Sequence, residues 1–418
     1  MRLLAITRRT QPKEALHNRP DFADLAQHHA LCIICPVPWT AMMHAVVGGL
    51  ASDTSEWSDG IQVLYPTYYA TPGLQPHRDG ISFERSVRSA VRGLMRQQRP
   101  DAILGSWSYP DGWAAVRLGQ QTGLPVVLHV FGSNGPLPDG RHGERIVQEL
   151  CGADAVIATS SALGRRLVAL GTPKHRVHVV PEGISRAQFH AGAQDDARRT
   201  LGLPEFGRIV LFAGDATASK GASDLVKACA ILRDRGIAFR CHFVGQKLGT
   251  SRLRHVIYSR GLEDRVFFAG VEAHADLADW FRACDVLALP SYVESVAVVL
   301  REAIECGVPF VTTRVGGHRE IAHPSYSRLV IAGAIGDLAD SLAEMLERPL
   351  HVPRDLGASV NLTREASAAL FAEHLQDVVD RRSAMRTRRS HHEVRMFPSR
   401  ALVRNRRNVL RVDSTQER

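Results

Sequence analysis

The sequence predicts an α/β protein of two parallel-sheet, Rossmann-like domains that face one cleft, and three observations predict it. From residue 100 onward, short apolar runs alternate with stretches of helical period, the pattern of successive βαβ units. The alternation breaks at Pro181-Glu182-Gly183 and then restarts. The 418 residues, 44% hydrophobic and 23% charged, are enough for two domains with cores of their own. In chain order, residues 1–6 begin as a strand, and residues 102–105, 126–130, 155–158 and 178–180 read as strands. Helical stretches at 113–121, 144–151 and 161–170 lie between them. After the break come a strand at 208–214, a helix at 222–235 and strands at 240–245, 266–269, 286–289 and 309–312. The expected division is a first domain over 1–188, a second over 189–362, a helix over 363–380 packing back on the first, and a disordered tail over 381–418. Ligands of such sheets lie at the carboxyl ends of the strands, so the cleft is the expected site.

Charge is unevenly placed. Residues 381–418 hold twelve arginines and three acids, so the tail carries the whole formal charge of +9, and the remaining body is neutral. A nucleic-acid-binding body is therefore disfavoured, while the tail suits anionic lipid headgroups or remains a solvated segment. The seven cysteines are odd in number and scattered, as reduced thiols of a cytoplasmic protein are. Cys32 and Cys35 would point to opposite faces of a strand, and no second pair completes a zinc site. The strand-like start followed by Arg8-Arg9 predicts no secretory signal. Residues 30–51 are long enough to span a bilayer but contain Pro36, Pro38, Thr40 and His44, so a buried strand and an apolar loop are expected instead.

Two nucleotide fingerprints fail. No G-x-G-x-x-G follows a strand, and Gly214-Asp-Ala-Thr-Ala-Ser-Lys220-Gly221 lacks the Gly before and the Ser/Thr after the Lys that a phosphate-binding P-loop needs. What remains there is an ammonium in a strand-to-helix loop, either a phosphate ligand or an exposed turn lysine. The segment Leu289-Pro-Ser-Tyr-Val-Glu294-Ser-Val-Ala-Val-Val-Leu-Arg-Glu302 places one carboxylate in a loop and one inside a helix ending at Gly307. With a helix starting near Ser295 the two would stand roughly 12 Å apart. A helix N-terminus between two carboxylates suits a nucleotide sugar, with amides for phosphates and acceptors for hydroxyls at both ends. The plainer alternative is a helix-start acid and a surface glutamate.

This E-x7-E segment, with Glu-Ala-x-x-Cys-Gly-x-Pro and Gly-Gly-x-x-Glu-Ile following it, resembles the donor-site signature of retaining family 4 glycosyltransferases of GT-B fold. Four further segments resemble the family's motifs in order: Ser106-Trp-Ser-Tyr-Pro-Asp-Gly112, Val180-Pro-Glu-Gly-Ile-Ser to Phe189, Phe212-Ala-Gly214 to Lys220-Gly221, and Asp264-Arg-Val to Gly270. The first of these is found in members that build bacterial surface polysaccharides. Coverage is about residues 25–380. Three departures stand out. Asp215 occupies the place of the family's second phosphate-binding cation, Ser295-Val-Ala297 replaces a Gly-Phe-Gly, and in His129-Val-Phe131-Gly132-Ser133-Asn134 the family's histidine falls on Phe131. His129, two residues earlier on the same strand face, either substitutes for it or is a core histidine.

The resemblance implies an enzyme, a hexosyltransferase moving sugar from a nucleotide diphosphate sugar to a glycan or lipid-linked acceptor in exopolysaccharide or lipopolysaccharide assembly, with retention. It implies that Glu302 holds the ribose and Lys220 the diphosphate, that Glu294 and the amides of Ser295, Val296, Ala297 and Val298 address the sugar and phosphates, and that Gly214 and Gly270 border the donor. His129 with Gly132, Ser133 and Asn134 would line the acceptor side, with Glu294 and His129 as the catalytic pair. No metal or resident cofactor is required, the nucleotide sugar being a co-substrate. The expected location is the cytoplasm, with the inner membrane face reached through the tail. The rival reading is a degenerate GT-B protein that binds a glycan or a partner enzyme without catalysis. It gains if Asp215 faces the phosphates rather than turning away or pairing with a cation such as Arg301 or Arg314.

Overall fold

The computed structural model describes residues 1–7, 24–40, 55–58, 61–70, 76–106, 109–130, 140–246, 250–274, 276–353 and 360–396. The first domain is an eight-stranded sheet made of β1 (Arg2–Ile6), β2 (Ala30–Ile34), β4 (Ser55–Ser58), β5 (Ile61–Leu64), β7 (Ala102–Ser106), β8 (Val126–Val130), β9 (Ala155–Ala158) and β10 (Val177–Val179), with β3 (Val37–Pro38) and β6 (Thr67–Tyr68) pairing apart from it. Its order is β10-β9-β8-β7-β1-β2-β5-β4, parallel except at the β4 edge. Helices α1 (Pro76–Gln97), α2 (Asp111–Thr122), α3 (Gly140–Leu150) and α4 (Ser161–Ala169) connect these strands.

The second domain is a six-stranded, wholly parallel sheet of order β13-β12-β11-β14-β15-β16. Its strands are β11 (Ile209–Ala213), β12 (Arg240–Val244), β13 (Val266–Gly270), β14 (Val286–Leu289), β15 (Phe310–Thr313) and β16 (Ser327–Val330). Between and around them run α5 (Gln194–Thr200), α6 (Ala222–Asp234), α7 (Ser251–Ser259), α8 (Leu277–Ala283), α9 (Val298–Glu305), α10 (His318–Ile321) and α11 (Ile335–Glu347). Two Rossmann-like sheets are therefore present; the strands expected from residue 100 onward lie within a residue of where their apolar runs place them, and the edge strand β16 was not among those expected. Central strands such as β11 and β14 are buried at every position, which is why they read as unbroken apolar runs rather than as alternation.

The chain crosses between the domains twice, and the crossings lie side by side. Ile184 N donates to Leu362 O at 2.9 Å, and a Cβ on Gly183 would lie 2.3 Å from Thr363 O. From there α12 (Arg364–Met396) returns to the first sheet. Phe371, Leu375 and Val378, at i, i+4 and i+7, enter one core with Leu3, Ile33 and Val127. Cys32 and Cys35 face opposite cores, although the strand ends at Ile34, before Cys35.

Two expectations are corrected. The helix after Glu294 begins at Val298, not near Ser295, so only the stretch from Val298 to Glu302 rises as helix, by about 6 Å, and the figure that took the whole span as helix does not apply. Ser295 is instead held by the neighbouring glycine loop, since Gly317 N donates to Ser295 O. Residues 381–396 are helical rather than disordered, because nothing between 364 and 396 breaks a helix and the first proline beyond is Pro398. Residues 397–418, and the basic segment 8–20, lie outside the described residues.

Leu375 is fully buried under α12. Leu375→Ala is expected to lower unfolding free energy by about 2–5 kcal/mol in urea titrations; an unchanged midpoint would mean that α12 does not hold the first sheet in solution.

Candidate functional site

The order of the second sheet reverses between β11 and β14, which places a crevice at the carboxyl ends of these two strands. The loop after β11 carries Lys220, and the loop after β14 carries Glu294. Lys220 Nζ donates to Glu294 Oε1, to which Ser291 Oγ also donates at 3.3 Å. The Glu294 side chain is 5% exposed and that of Lys220 28%. The two loops are stitched together besides: Tyr292 N donates to Ser219 O at 2.7 Å, and Tyr292 Oη donates to Asp224 Oδ2 at 2.5 Å. Gly221 has φ +71°, and a Cβ there would lie 2.1 Å from Pro290 O, so the Lys-Gly pair is required by conformation and by space.

Gly214 and Gly270 stand at the carboxyl ends of β11 and β13, with Gly214 N donating to Val244 O and Gly245 N to Gly270 O. Ser295 is buried and its hydroxyl lies 2.6 Å from Thr159 Oγ1 of the first domain. Val296 and Ala297 bury their side chains in the second core, and Val298 opens α9. The Gly316-Gly317 loop lies against this segment: a Cβ on Gly316, at φ +50°, would stand 2.0 Å from Glu294 O.

Glu302 is 1% exposed, one turn into α9. His274 Nε2 lies 2.7 Å from its Oε1, while Oε2 is buried with no hydrogen-bond partner. The His274 ring also meets the edge of Phe189, and its carbonyl accepts from Gln188 Nε2 at 2.7 Å. The hydrogen bond to Glu302 raises the His274 pKa above its ordinary 6.5, against a smaller opposing effect of burial. A pKa raised by folding contributes stability that is present below about 6.5 and lost as pH climbs through the raised value. The imidazole titration followed by NMR is expected to run above the ordinary value in wild type and to fall back toward it in Glu302→Gln; equal midpoints would break the pairing.

The sequence-predicted residues thus gather in two groups on the second domain, Lys220 with Glu294 and, one turn into α9, Glu302. His129 stands on β8 of the first domain and packs against Phe371 of α12 at 5.3 Å between ring centroids. Gly132, Ser133 and Asn134, with Phe131, lie outside the described residues. Asp215 is half-buried, and its carbonyl accepts from Thr217 N at 2.7 Å. Of the two cations considered as its partners, Arg301 donates to Val360 O and Asn361 Oδ1, and Arg314 to Leu329 O. Sequence reasoning missed His274, and it missed the destination of Glu320. That carboxylate accepts from Ser161 N and Ala162 N at 3.0 and 2.7 Å, capping α4 of the opposite domain. Ser160-Ser161 ahead of a helical run was a legible cap signal, and Ser160 Oγ indeed accepts from Leu163 N, but nothing local tells which acid would arrive from the second domain. Among the described residues no cluster of three or more metal-ligating side chains occurs, and no helix is long and apolar enough to cross a membrane.

A family model described as glycosyl transferases group 1 matches residues 193–360, and one described as a glycosyl transferase 4-like domain matches residues 23–183. The D-inositol 3-phosphate glycosyltransferase of Pseudarthrobacter chlorophenolicus is 31% identical over 314 residues, which cover 69% of this chain and 74% of that protein. Two solved structures share the fold. Sucrose-phosphate synthase from Thermosynechococcus elongatus aligns with a TM-score of 0.73 at 19% identity, over 90% of this chain and 99% of that one. HepE of Anabaena, in complex with UDP and glucose, aligns with a TM-score of 0.66 at 19% identity, with the same two coverages.

Proposed function

The chain belongs to the group 1 glycosyltransferases, two Rossmann-like domains in the GT-B arrangement, and from that premise we propose that it transfers a sugar from a nucleotide diphosphate sugar to an acceptor hydroxyl with retention of configuration. The observation that carries this reading is the Lys220–Glu294 pair at the switch point of the second sheet. A diphosphate takes the ammonium and sugar hydroxyls take the carboxylate, so one ligand replaces both halves of a pair that is mostly buried. Glu302 holds the ribose through the oxygen that now lacks a partner. Gly214 and Gly270 border the donor. Charge developing on the leaving diphosphate is met by Lys220 and by the first-turn amides of α9, without a metal. His129, near the carboxyl end of β8, belongs to the acceptor side together with residues 132–134.

For the acceptor, the motif running from Ser106 to Gly112 favours a glycan or a lipid-linked sugar of surface polysaccharide assembly. A second reading, a small phosphorylated polyol, is favoured by the relatives named for D-inositol 3-phosphate. In the first reading the protein works at the inner membrane face, and its basic C-terminal segment holds it on anionic headgroups.

The test is calorimetry with UDP and GDP, followed by turnover of a panel of UDP- and GDP-sugars on lipid-linked glycans and on inositol phosphate. Glu302→Ala is expected to weaken binding of the preferred nucleoside diphosphate by about 1.5–3 kcal/mol, the worth of hydrogen bonds to a charged group. Lys220→Ala is expected to abolish transfer. Unchanged nucleotide affinity in Glu302→Ala would overturn the ribose assignment, and a wild type that turns over no sugar nucleotide would favour a non-catalytic binder.

Removal of residues 397–418 is expected to reduce sedimentation with vesicles containing phosphatidylglycerol, more so at low salt, and to leave nucleotide binding intact. Equal sedimentation of the full and shortened chains would remove the membrane reading.

A further inference from the structure

Glu320 is an exposed acid of the second domain, and its carboxylate reaches the first. The two oxygens accept from Ser161 N and Ala162 N at 3.0 and 2.7 Å, the amides of the first two residues of α4. A helix N-terminus holds a carboxylate through such unpaired amides and through its partial positive charge. The helix also has a cap of its own, Ser160 Oγ accepting from Leu163 N, so it does not need Glu320 in order to form. What brings the acid there is a glycine. Gly317 N donates to Ser295 O, and a Cβ on Gly317 would lie 2.6 Å from Val296 Cγ2 and 2.7 Å from Ser160 Cβ. Glu320 N donates to Gly317 O at 2.9 Å, so one tight turn joins the backbone beside Glu294 to the acid that crosses the cleft. Of the contacts made here, Thr159 with Ser295 is a neutral hydroxyl pair and Ser160 with Gly317 is packing, whereas Glu320 brings a charge.

We propose that Glu320 is an electrostatic latch between the domains, a positioning residue that sets how the first domain meets the donor loop during transfer. The proposal rests on the transferase reading above. Lys220, Glu294 and Glu302 all belong to the second domain, so nucleotide binding needs that domain alone, whereas transfer needs the first domain in register with it. A contact that joins the two acts on transfer and leaves the nucleotide untouched. Because Glu320 is exposed, its side chain can be changed without opening a core, and its hold on α4 weakens as salt rises.

The experiment compares wild type, Glu320→Ala, Glu320→Gln, Ser161→Pro and the double variant Glu320→Ala/Ser161→Pro. Proline fits the first position of a helix and removes one of the two amides from the opposite side of the contact, and the extended backbone of Ser160 suits a residue before proline. Transfer is followed with the donor and acceptor that the panel above identifies, and nucleotide affinity by calorimetry with UDP and GDP. Glu320→Ala is expected to lower kcat roughly two- to fivefold, the worth of a carboxylate at a helix N-terminus, with nucleotide affinity and melting temperature unchanged. Glu320→Gln, which keeps an acceptor and loses the charge, falls between it and wild type. Ser161→Pro lowers kcat only while Glu320 is present, so the double variant is no slower than Glu320→Ala. An unchanged kcat in Glu320→Ala would overturn the proposal, as would losses that simply add in the double variant. Weaker nucleotide binding together with a lowered melting temperature would make Glu320 a merely structural residue and overturn it too. A wild type that turns over no sugar nucleotide would sink the transferase reading, and small-angle scattering would still decide the latch. Glu320→Arg sets a cation against the helix N-terminus and is expected to raise the radius of gyration; an unchanged radius would overturn the latch.

Discussion

No side chain fits between residue 316 and the backbone of Glu294, and the second domain's site depends on that closeness. A Cβ at Gly316 would stand 2.0 Å from Glu294 O and 2.5 Å from Ser295 O, at a φ of +50° that L side chains seldom adopt. The loop after β15 thus reaches the loop after β14 without an intervening side chain. The same approach sends Gly317 against Val296 and against Ser160 of the opposite domain. Gly221 does the equivalent work on the other side, packing on Pro290 so that the lysine loop meets the glutamate loop. Two backbone contacts, each closed to any residue with a Cβ, thus hold three site loops together.

That scaffold presents opposite charges to each other in a largely desolvated place. The cost of taking a carboxylate out of water is met by its partner only while the partner stays, so the pair is stable as a pair and poor as separated charges. A ligand that binds here has to satisfy both groups at once. An anion alone frees the carboxylate with nothing to accept from, and a neutral sugar alone leaves the ammonium competing for Glu294. On the proposed reading, a sugar joined to a diphosphate would supply acceptors and donors in one molecule, and the pair would discriminate by chemical composition before any shape is considered.

Much of this was legible in the sequence, and the limits have physical causes. Parallel strands buried on both faces leave unbroken apolar runs, which is why β8, β9 and β14 could be read to the residue. Turn chemistry placed Lys220 and Glu294 in loops between a strand and a helix, but their role in a site came from the resemblance to the family 4 motifs and not from the residues alone. What escaped was set by contacts distant in the chain. His274 reaches Glu302 across 28 residues, and Glu320 reaches α4 across 159. No local pattern encodes such a pairing. The start of α9 was misplaced for the same reason: Ser295, Val296 and Ala297 do not refuse helix, but Ser295 is bound by Gly317 N and by Thr159, and tertiary partners outweigh propensity. The length of α12 was underestimated for the opposite reason, since a segment with too few apolar residues to build a core was read as disordered, whereas its arginines are good helix formers.

The contacts between the domains are made by the site itself. Ser295, next to Glu294, holds Thr159; Gly317, next to His318, holds Ser160; and Glu320, two residues on, caps α4. Each of these second-domain residues lies beside Glu294 or on the Gly316-Gly317 segment that packs against its backbone. A change in how the domains meet therefore has to move the backbone of Glu294 or of the Gly316-Gly317 loop, which a close-packed contact without side chains transmits rather than absorbs. The two chain crossings lie side by side, where Ile184 pairs with Thr363. What moves the backbone of Glu294 therefore also acts on the segment that meets Thr159.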